Sequence, residues 1–204
     1  MDLKLIYGNM RALCEAPQMM LHYADIPYEY KMVWDHYGSN WAEIKKDIIF
    51  NRLPILIINE DKYLWQSNTI IRYLSNLTKT KPSDEFQLAY CDAVFESTHE
   101  MFSPLNPTIN MTFGEKYNSN KKKLLEDILP NSLNNFEKLL QNSSGNFFIG
   151  NDPFYCDFNA YHHFSMCLIL DKNIFSNFPN LKKFINNFEK LNNIKNYLDG
   201  RPEL

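Results

Sequence analysis

The residues most able to do chemistry gather in Phe50–Leu74, FNRLPILIINEDKYLWQSNTIIRYL. Leu53 precedes Pro54, which pushes its backbone toward the extended region and away from a helix. A strand entered through a proline exposes backbone N–H and C=O groups before its own pairing begins. Gln66 and Ser67 open a helix, and a helix N-terminus that carries a hydroxyl holds a carboxylate. Together these parts can hold a small peptide with a free carboxyl group. Trp41 and Lys45 are four apart, so they share one face of a short helix. There an indole N–H stands beside a point charge suited to a carboxylate. Tyr7 ends the short run Lys4–Tyr7 and offers a phenol. Each also has a plain alternative: a strand-end tyrosine with a wet hydroxyl, an amphipathic surface helix, an ordinary N-cap.

The elements that must position these residues follow from pattern. Lys4–Tyr7 is a short strand, and Arg11–Ala24 forms a helix with Leu13, Pro17, Met20, Leu21 and Ala24 inward. Tyr28–Val33 alternates as a second strand, and Asn40–Asp47 is a short helix. Ile55–Ile58 is apolar and mostly β-branched, which suits a buried strand. Asn59–Lys62 is a turn, and Tyr63–Trp65 returns as its partner. Ile70, Ile71, Leu74 and Leu77 mark the stripe of the next helix. This β-α-β-α-β-β-α order is an α/β arrangement, thioredoxin-like when a proline precedes the third strand. In that fold the proline is cis as a rule.

After the polar segment Leu77–Asp84 everything reads as helical. Phe86, Tyr90, Ala93, Val94 and Met101 define one face of a long helix that Pro104 and Pro107 should end or kink. Leu124, Leu125, Ile128, Leu129, Phe136, Leu139 and Leu140 mark a second long helix, bent near Pro130. Further helices cover Tyr155–Asp171 and Pro179–Asn192, and a short one closes the chain. Adjacent on their helix, His162 and His163 should point in different directions and not share a metal.

The chain of 204 residues carries a net charge of −3, with 45% hydrophobic and 22% charged residues. That is globular composition and gives no reason to expect a nucleic-acid partner. No apolar run approaches the ~20 residues of a membrane span, and the strand-like start MDLKLIYG does not read as a signal peptide. Cys14, Cys91, Cys156 and Cys167 form no CxxC pair, which fits small buried residues in a reducing, cytoplasmic setting.

Taken in order, several short segments resemble the soluble glutathione S-transferase family, nearest its sigma class and next to its mu class. They are YGNMR at Tyr7–Arg11, WAEIK at Trp41–Lys45, RLPIL at Arg52–Leu56 and QSNTIIRYL at Gln66–Leu74. FIGND with YCDF ending at Phe158, FPNLKKF at Phe178–Phe184 and the tail NYLDGRP continue the likeness over nearly the whole chain. The resemblance implies a thioredoxin-like glutathione-binding domain at 1–80 and an all-helical domain at 83–204. It implies a homodimeric enzyme that conjugates glutathione, its co-substrate, to small hydrophobic electrophiles without a metal. Peroxide reduction or prostaglandin isomerisation are further activities of such proteins. A weakly active or non-catalytic binder of glutathione or hydrophobic ligands is the alternative.

The resemblance also implies roles. Tyr7 would donate its O–H to the glutathione sulfur. A thiol near pKa 8.5 is mostly protonated at neutral pH, and such a donor stabilises the thiolate. Trp41 and Lys45 would hold the glycine carboxylate, and Leu53, between Arg52 and Pro54, the cysteinyl backbone. Gln66 and Ser67 would hold the γ-glutamyl carboxylate. Within Glu96, His99 and Glu100, it is Glu100 that would reach the γ-glutamyl amine in the neighbouring subunit, and Phe50 would enter that subunit. Asp157 would cap its helix although Phe154 offers no hydroxyl in return. The electrophile pocket would combine Gly8–Leu13, Met101–Asn110 and the C-terminal tail. Gly8, Ala12 and Leu13 depart from the family pattern, in which an aromatic residue, a glycine and often an arginine stand.

Overall fold

The computed structural model describes residues 1–201. Residues 1–81 form one compact unit together with the last helix, and Pro82–Leu191 form the other. In the first unit β1 (Leu3–Tyr7) leads to α1 (Glu15–Tyr23) and β2 (Glu29–Met32). Next come α2 (Val33–Tyr37) and α3 (Trp41–Ile44), which runs on into a 3-10 turn at Lys45–Asp47. β3 (Ile55–Ile58), β4 (Lys62–Trp65) and α4 (Ser67–Leu77) complete the series. The sheet order is β2-β1-β3-β4, with β1 parallel to β2 and antiparallel to β3, and β3 antiparallel to β4. This is the α/β, thioredoxin-like arrangement read from the sequence.

The causes are local. All four residues of β3 are buried, as a strand covered on both faces requires. The β3–β4 turn is made by Asn59 and Glu60, both at positive φ, a conformation that asparagine tolerates. In α4, Ile70, Ile71 and Leu74 are buried as the stripe predicts, with Leu77 only partly so. Three details differ from the sequence reading. The first helix begins at Glu15 and not at Arg11. The second strand stops at Met32, because buried Val33 already belongs to α2. Leu13 and Ala24 are half-exposed, and Ala16 and Met19 are buried with Pro17, Met20 and Leu21 instead.

The second unit holds α5 (Glu85–Met111), α6 (Gly114–Lys123), a π-helical turn at Leu124–Ile128, α7 (Leu129–Asn142), α8 (Tyr155–Leu170) and α9 (Pro179–Glu189). The last helix, α10 (Asn192–Gly200), packs on α1 in the first unit, whereas the sequence places it with the helical half. There Arg201 reaches Glu15, Nη1 to Oε1 2.6 Å, and the Glu15 carboxylate is nearly fully buried.

The face of α5 is rotated from the one expected. Phe86 is 78% exposed and Ala93 is exposed; the buried stripe is Cys91, Val94, Phe95, Thr98, Met101, Phe102, Leu105 and Thr108. Nor do Pro104 and Pro107 end the helix. Each proline costs about 3 kcal/mol. Burial of Met101, Phe102 and Leu105, at roughly 1.5–3 kcal/mol apiece, is of the same size. The second long helix is broken instead at Leu124–Ile128, which leaves Pro130 in the first turn of α7, where its missing N–H does no harm.

Asp157 does cap α8. Its carboxylate accepts the N–H of Phe154 at 2.8 Å and that of Phe148 at 3.1 Å. The Phe154 side chain carries no oxygen, and only its carbonyl accepts the Asp157 N–H, at 2.9 Å, so only half of a capping box exists. Burial outweighs these hydrogen bonds and pushes the carboxyl up to about 7. Asp157→Ala orphans two N–H groups at roughly 1–3 kcal/mol each. A loss of about 2–6 kcal/mol is therefore expected in denaturant unfolding at pH 6. The folded pKa lies above the unfolded value of about 3.9, so the native state binds the proton more tightly. That stabilisation is fully present below about pH 4 and is lost as the pH rises through about 7. Wild type should lose it between about pH 4 and pH 7 and the alanine variant should not; identical pH dependence in both would refute the assignment.

Candidate functional site

Register brings the first-unit residues together. Ile6 pairs with Ile55, and Ile55 with Trp65. One step beyond those pairs lie Tyr7, the cis Leu53–Pro54 bond, and Gln66 with Ser67. The end of β1, the start of β3 and the N-terminus of α4 thus share one end of the sheet.

On the α1 side of the sheet, the Tyr7 side chain is 6% exposed and its hydroxyl oxygen accepts the Leu13 N–H at 3.3 Å. Burial pushes the Tyr7 phenol well above its ordinary range. It therefore stays neutral at physiological pH, and a hydroxyl that accepts one bond still has its own proton to give. Ser67 is buried at the first position of α4, its hydroxyl 3.4 Å from Asn68 Oδ1. Gln66, just before it, is exposed and holds a positive φ of 68°.

The opposite face of the sheet carries a cluster of Ile6, Val33, Ile44, Ile48, Ile55 and Ile57. Trp41, Leu53 and Trp65 pack against it. This packing fixes α3, which Asn40 caps by accepting the Glu43 N–H at 3.2 Å. Lys45 follows in the 3-10 turn with helical backbone angles, and both it and Arg52 are exposed. So Trp41 and Leu53 share one cluster, Lys45 stands one turn from Trp41, and Pro54 is buried behind them.

Glu100 belongs to the second unit, on α5, exposed and lining a groove of about 270 Å³ with Ser97, Ile128 and Ser132. Gly8–Leu13 form the loop after β1 in the first unit, and Met101–Asn110 belong to α5 in the second. Residues 202–204 of the tail lie outside the described residues. His162 and His163 are both buried, their ring centroids 5.4 Å apart. α8 is buried on nearly every side, so adjacent residues both meet neighbours. His163 stacks on Phe102 at 4.2 Å, and its Nδ1 lies 2.9 Å from the Thr98 carbonyl. Among the described residues no three of His, Cys, Asp and Glu are grouped to hold a metal.

All four cysteines are free and buried. Burial pushes the thiols of Cys14, Cys156 and Cys167 up, which leaves them inert as nucleophiles at neutral pH. The alternation Tyr28-x-Tyr30-x-Met32, read from the sequence only as a strand, runs from just before β2 to its end. It places three large side chains on the α1 face of an edge strand, beside Tyr197 of α10.

A thioredoxin-like unit with a buried phenol, joined to a helical unit, defines a class, and sequence comparison assigns it. The family model of the glutathione S-transferase N-terminal domain matches residues 1–76, and that of the C-terminal domain matches residues 99–201. The chain belongs to the glutathione S-transferase family. Glutathione S-transferase P of Caenorhabditis elegans is 29% identical to it, over 100% of this chain and 95% of that protein. The Pi-class glutathione S-transferase structure from Onchocerca volvulus superposes with a TM-score of 0.86 at 26% identity, over 98% of this chain and 94% of that one. A structure of rat hPGDS complexed with a quinoline gives 0.88 at 25% identity, over 100% of this chain and 99% of that one. Among the described residues no helix is long and apolar enough to cross a membrane.

Proposed function

We propose that the chain is a glutathione transferase in which Tyr7 activates the glutathione thiol for attack on a small hydrophobic electrophile. The observation that carries this reading is the buried, neutral Tyr7 phenol at the end of the sheet shared by Leu53–Pro54 and Ser67. Glutathione lies extended along Leu53, its cysteinyl N–H and C=O paired to the Leu53 backbone between Arg52 and Pro54. Its γ-glutamyl carboxylate meets Gln66, the Ser67 hydroxyl and the α4 N-terminus, whose dipole favours an anion by about 0.3–1 kcal/mol. Its glycine carboxylate meets Trp41 and Lys45. The sulfur then falls beside Tyr7, which donates to the thiolate and draws the thiol pKa down. The thiolate attacks the electrophilic carbon, a C–S bond forms, and the leaving group departs with its electron pair.

The motif YGNMR supports a sigma-like class assignment, with Gly8, Ala12 and Leu13 as this chain's own loop. Four buried, free cysteines support a reducing, cytoplasmic setting. Assembly is a two-fold homodimer. Phe50 is 60% exposed, with φ of 64°, and sits edge-on to Trp65 at 6.2 Å. An aromatic held outward in this way suits an anchor in a partner's pocket. Glu100 supplies a carboxylate to the γ-glutamyl amine of the neighbouring subunit.

Tyr7→Phe removes only the donor. Conjugation at about pH 6.5 should slow by roughly 10- to 100-fold, the equivalent of one to two pKa units. The defect should shrink at high pH, where glutathione ionises unaided. Ser67→Ala and Lys45→Ala should instead raise the KM for glutathione with a smaller effect on kcat. A Tyr7→Phe variant as fast as wild type at about pH 6.5 would remove Tyr7 from the mechanism.

Sedimentation at micromolar concentration should show a dimer for wild type and a shift toward monomer for Phe50→Ser. A wild-type monomer would refute the assembly.

A further inference from the structure

A hydroxyl turns about its C–O bond until a partner takes one of its lone pairs. In Tyr7 that partner is the Leu13 N–H, 3.3 Å from the phenol oxygen. The bond directs the phenol's own proton away from Leu13. It also draws charge from the oxygen, so the O–H becomes a stronger donor. Burial raises the phenol, and the Leu13 bond opposes that rise.

The aim of the Leu13 N–H is set by the peptide group that carries it. A trans peptide is planar, and its C=O and N–H point in opposite directions. At the Ala12 end of this group the carbonyl accepts the Glu15 N–H at 3.1 Å. With the carbonyl turned to Glu15, the N–H on the other side is turned to Tyr7. Earlier in the loop the Tyr30 hydroxyl holds the Gly8 carbonyl at 2.8 Å. The loop is thus pinned at both ends.

Glu15 is itself anchored from the far end of the chain. Its side chain is 3% exposed, and a carboxylate so buried must be paired to stay charged. Arg201 Nη1 meets its Oε1 at 2.6 Å, and the Tyr197 hydroxyl donates to the same carboxylate. Tyr197 lies on α10 and Arg201 directly after it. That helix is tied to α1 by Asn193, which donates to the Tyr23 carbonyl at 3.3 Å, and by Tyr197, which meets the His22 ring at 4.5 Å. One line of contacts therefore runs from Arg201 through Glu15 and the Ala12–Leu13 peptide to the Tyr7 hydroxyl.

We propose, given Tyr7 as the donor to the thiol, that Arg201 is a positioning residue for thiol activation: paired with Glu15, it holds the Ala12–Leu13 peptide so that the Leu13 N–H keeps the Tyr7 hydroxyl aimed. It acts through Glu15 and not on the sulfur.

Arg201→Met keeps the length of the side chain and removes its charge and donors. Hydrogen exchange of the Leu13 amide, followed by NMR without ligand, reads the positioning. The ultraviolet absorbance of bound glutathione against pH reads the activation. In Arg201→Met the Leu13 amide should exchange at least about tenfold faster. The thiolate fraction at about pH 6.5 should fall about two- to tenfold, the equivalent of one neutral hydrogen bond. Glutathione should still bind within about twofold of wild type, because its carboxylates are held elsewhere. Arg201→Lys should restore both readouts, since one nitrogen on one oxygen is the contact to replace. In a Tyr7→Phe background Arg201→Met should lower the thiolate fraction no further, because the group it positions is gone.

Either readout unchanged in a folded Arg201→Met protein would overturn the proposal. So would a lysine variant no better than methionine, or a loss in the Tyr7→Phe background as large as in wild type. If Arg201→Met fails to fold by circular dichroism, Glu15→Gln combined with Arg201→Met, which buries no unpaired charge, takes its place with the same expectations. A wild-type bound thiol that titrates like free glutathione would overturn the Tyr7 reading and this role with it. An acidic bound thiol in wild type that Arg201→Met leaves unchanged would overturn this role alone.

Discussion

The pairing of β1 with β3 is the constraint on which the candidate site depends. Ile6 opposite Ile55 sets Tyr7 and Pro54 side by side at the sheet end, and Trp65 opposite Ile55 carries the chain into Ser67 at the same end. Side chains alternate along a strand, so a slip of one residue would turn Tyr7 to the far face and Ile6 toward α1. The burial of Leu3, Leu5, Ile6 and all of β3 forbids that slip. Each of these side chains has roughly 1.5–3 kcal/mol at stake in staying out of water. Hydrophobic packing on both faces of the sheet thus fixes the position of a single hydroxyl, and the chemistry inherits that position.

Burial then decides which groups react. The same loss of hydration that keeps Tyr7 protonated, and so able to donate, raises the thiols of Cys14, Cys156 and Cys167 and leaves them inert. The protein supplies a donor and lacks a reactive thiol of its own among these, which matches a reaction whose nucleophile arrives with a bound thiol. The charged residues assigned to glutathione, Lys45 and Arg52, are by contrast exposed. Their attraction for a carboxylate is screened by water and salt, and it contributes to capture more than to the thiol's ionisation.

Much of the first unit was legible because it rests on local signals. A proline before a β-branched run, a turn of Asn59 and Glu60, and a stripe of Ile70, Ile71 and Leu74 each have one physical reading. The second unit was less legible because its helices are decided by tertiary packing. Phe86 is large and apolar yet exposed, while the α5 stripe starts at Cys91. Pro104 and Pro107 are tolerated because buried neighbours compensate for them, and the break falls at Leu124–Ile128, where no proline marks it. The Glu15–Arg201 pair spans 186 residues, and no local pattern could announce it. The aromatic face of β2 was half visible: its alternation was read as a strand, but Tyr197 could not be placed beside it without the fold.

The central claim is that the bound thiol ionises because a buried neutral phenol donates to it. The most direct measurement is the ultraviolet thiolate absorbance of the protein–glutathione complex, followed against pH. The bound thiol should ionise at least about one unit below the roughly 8.5 of a free thiol, and Tyr7→Phe should return it to that value. A bound thiol that titrates like free glutathione in wild type, or one that stays acidic in Tyr7→Phe, would contradict the account.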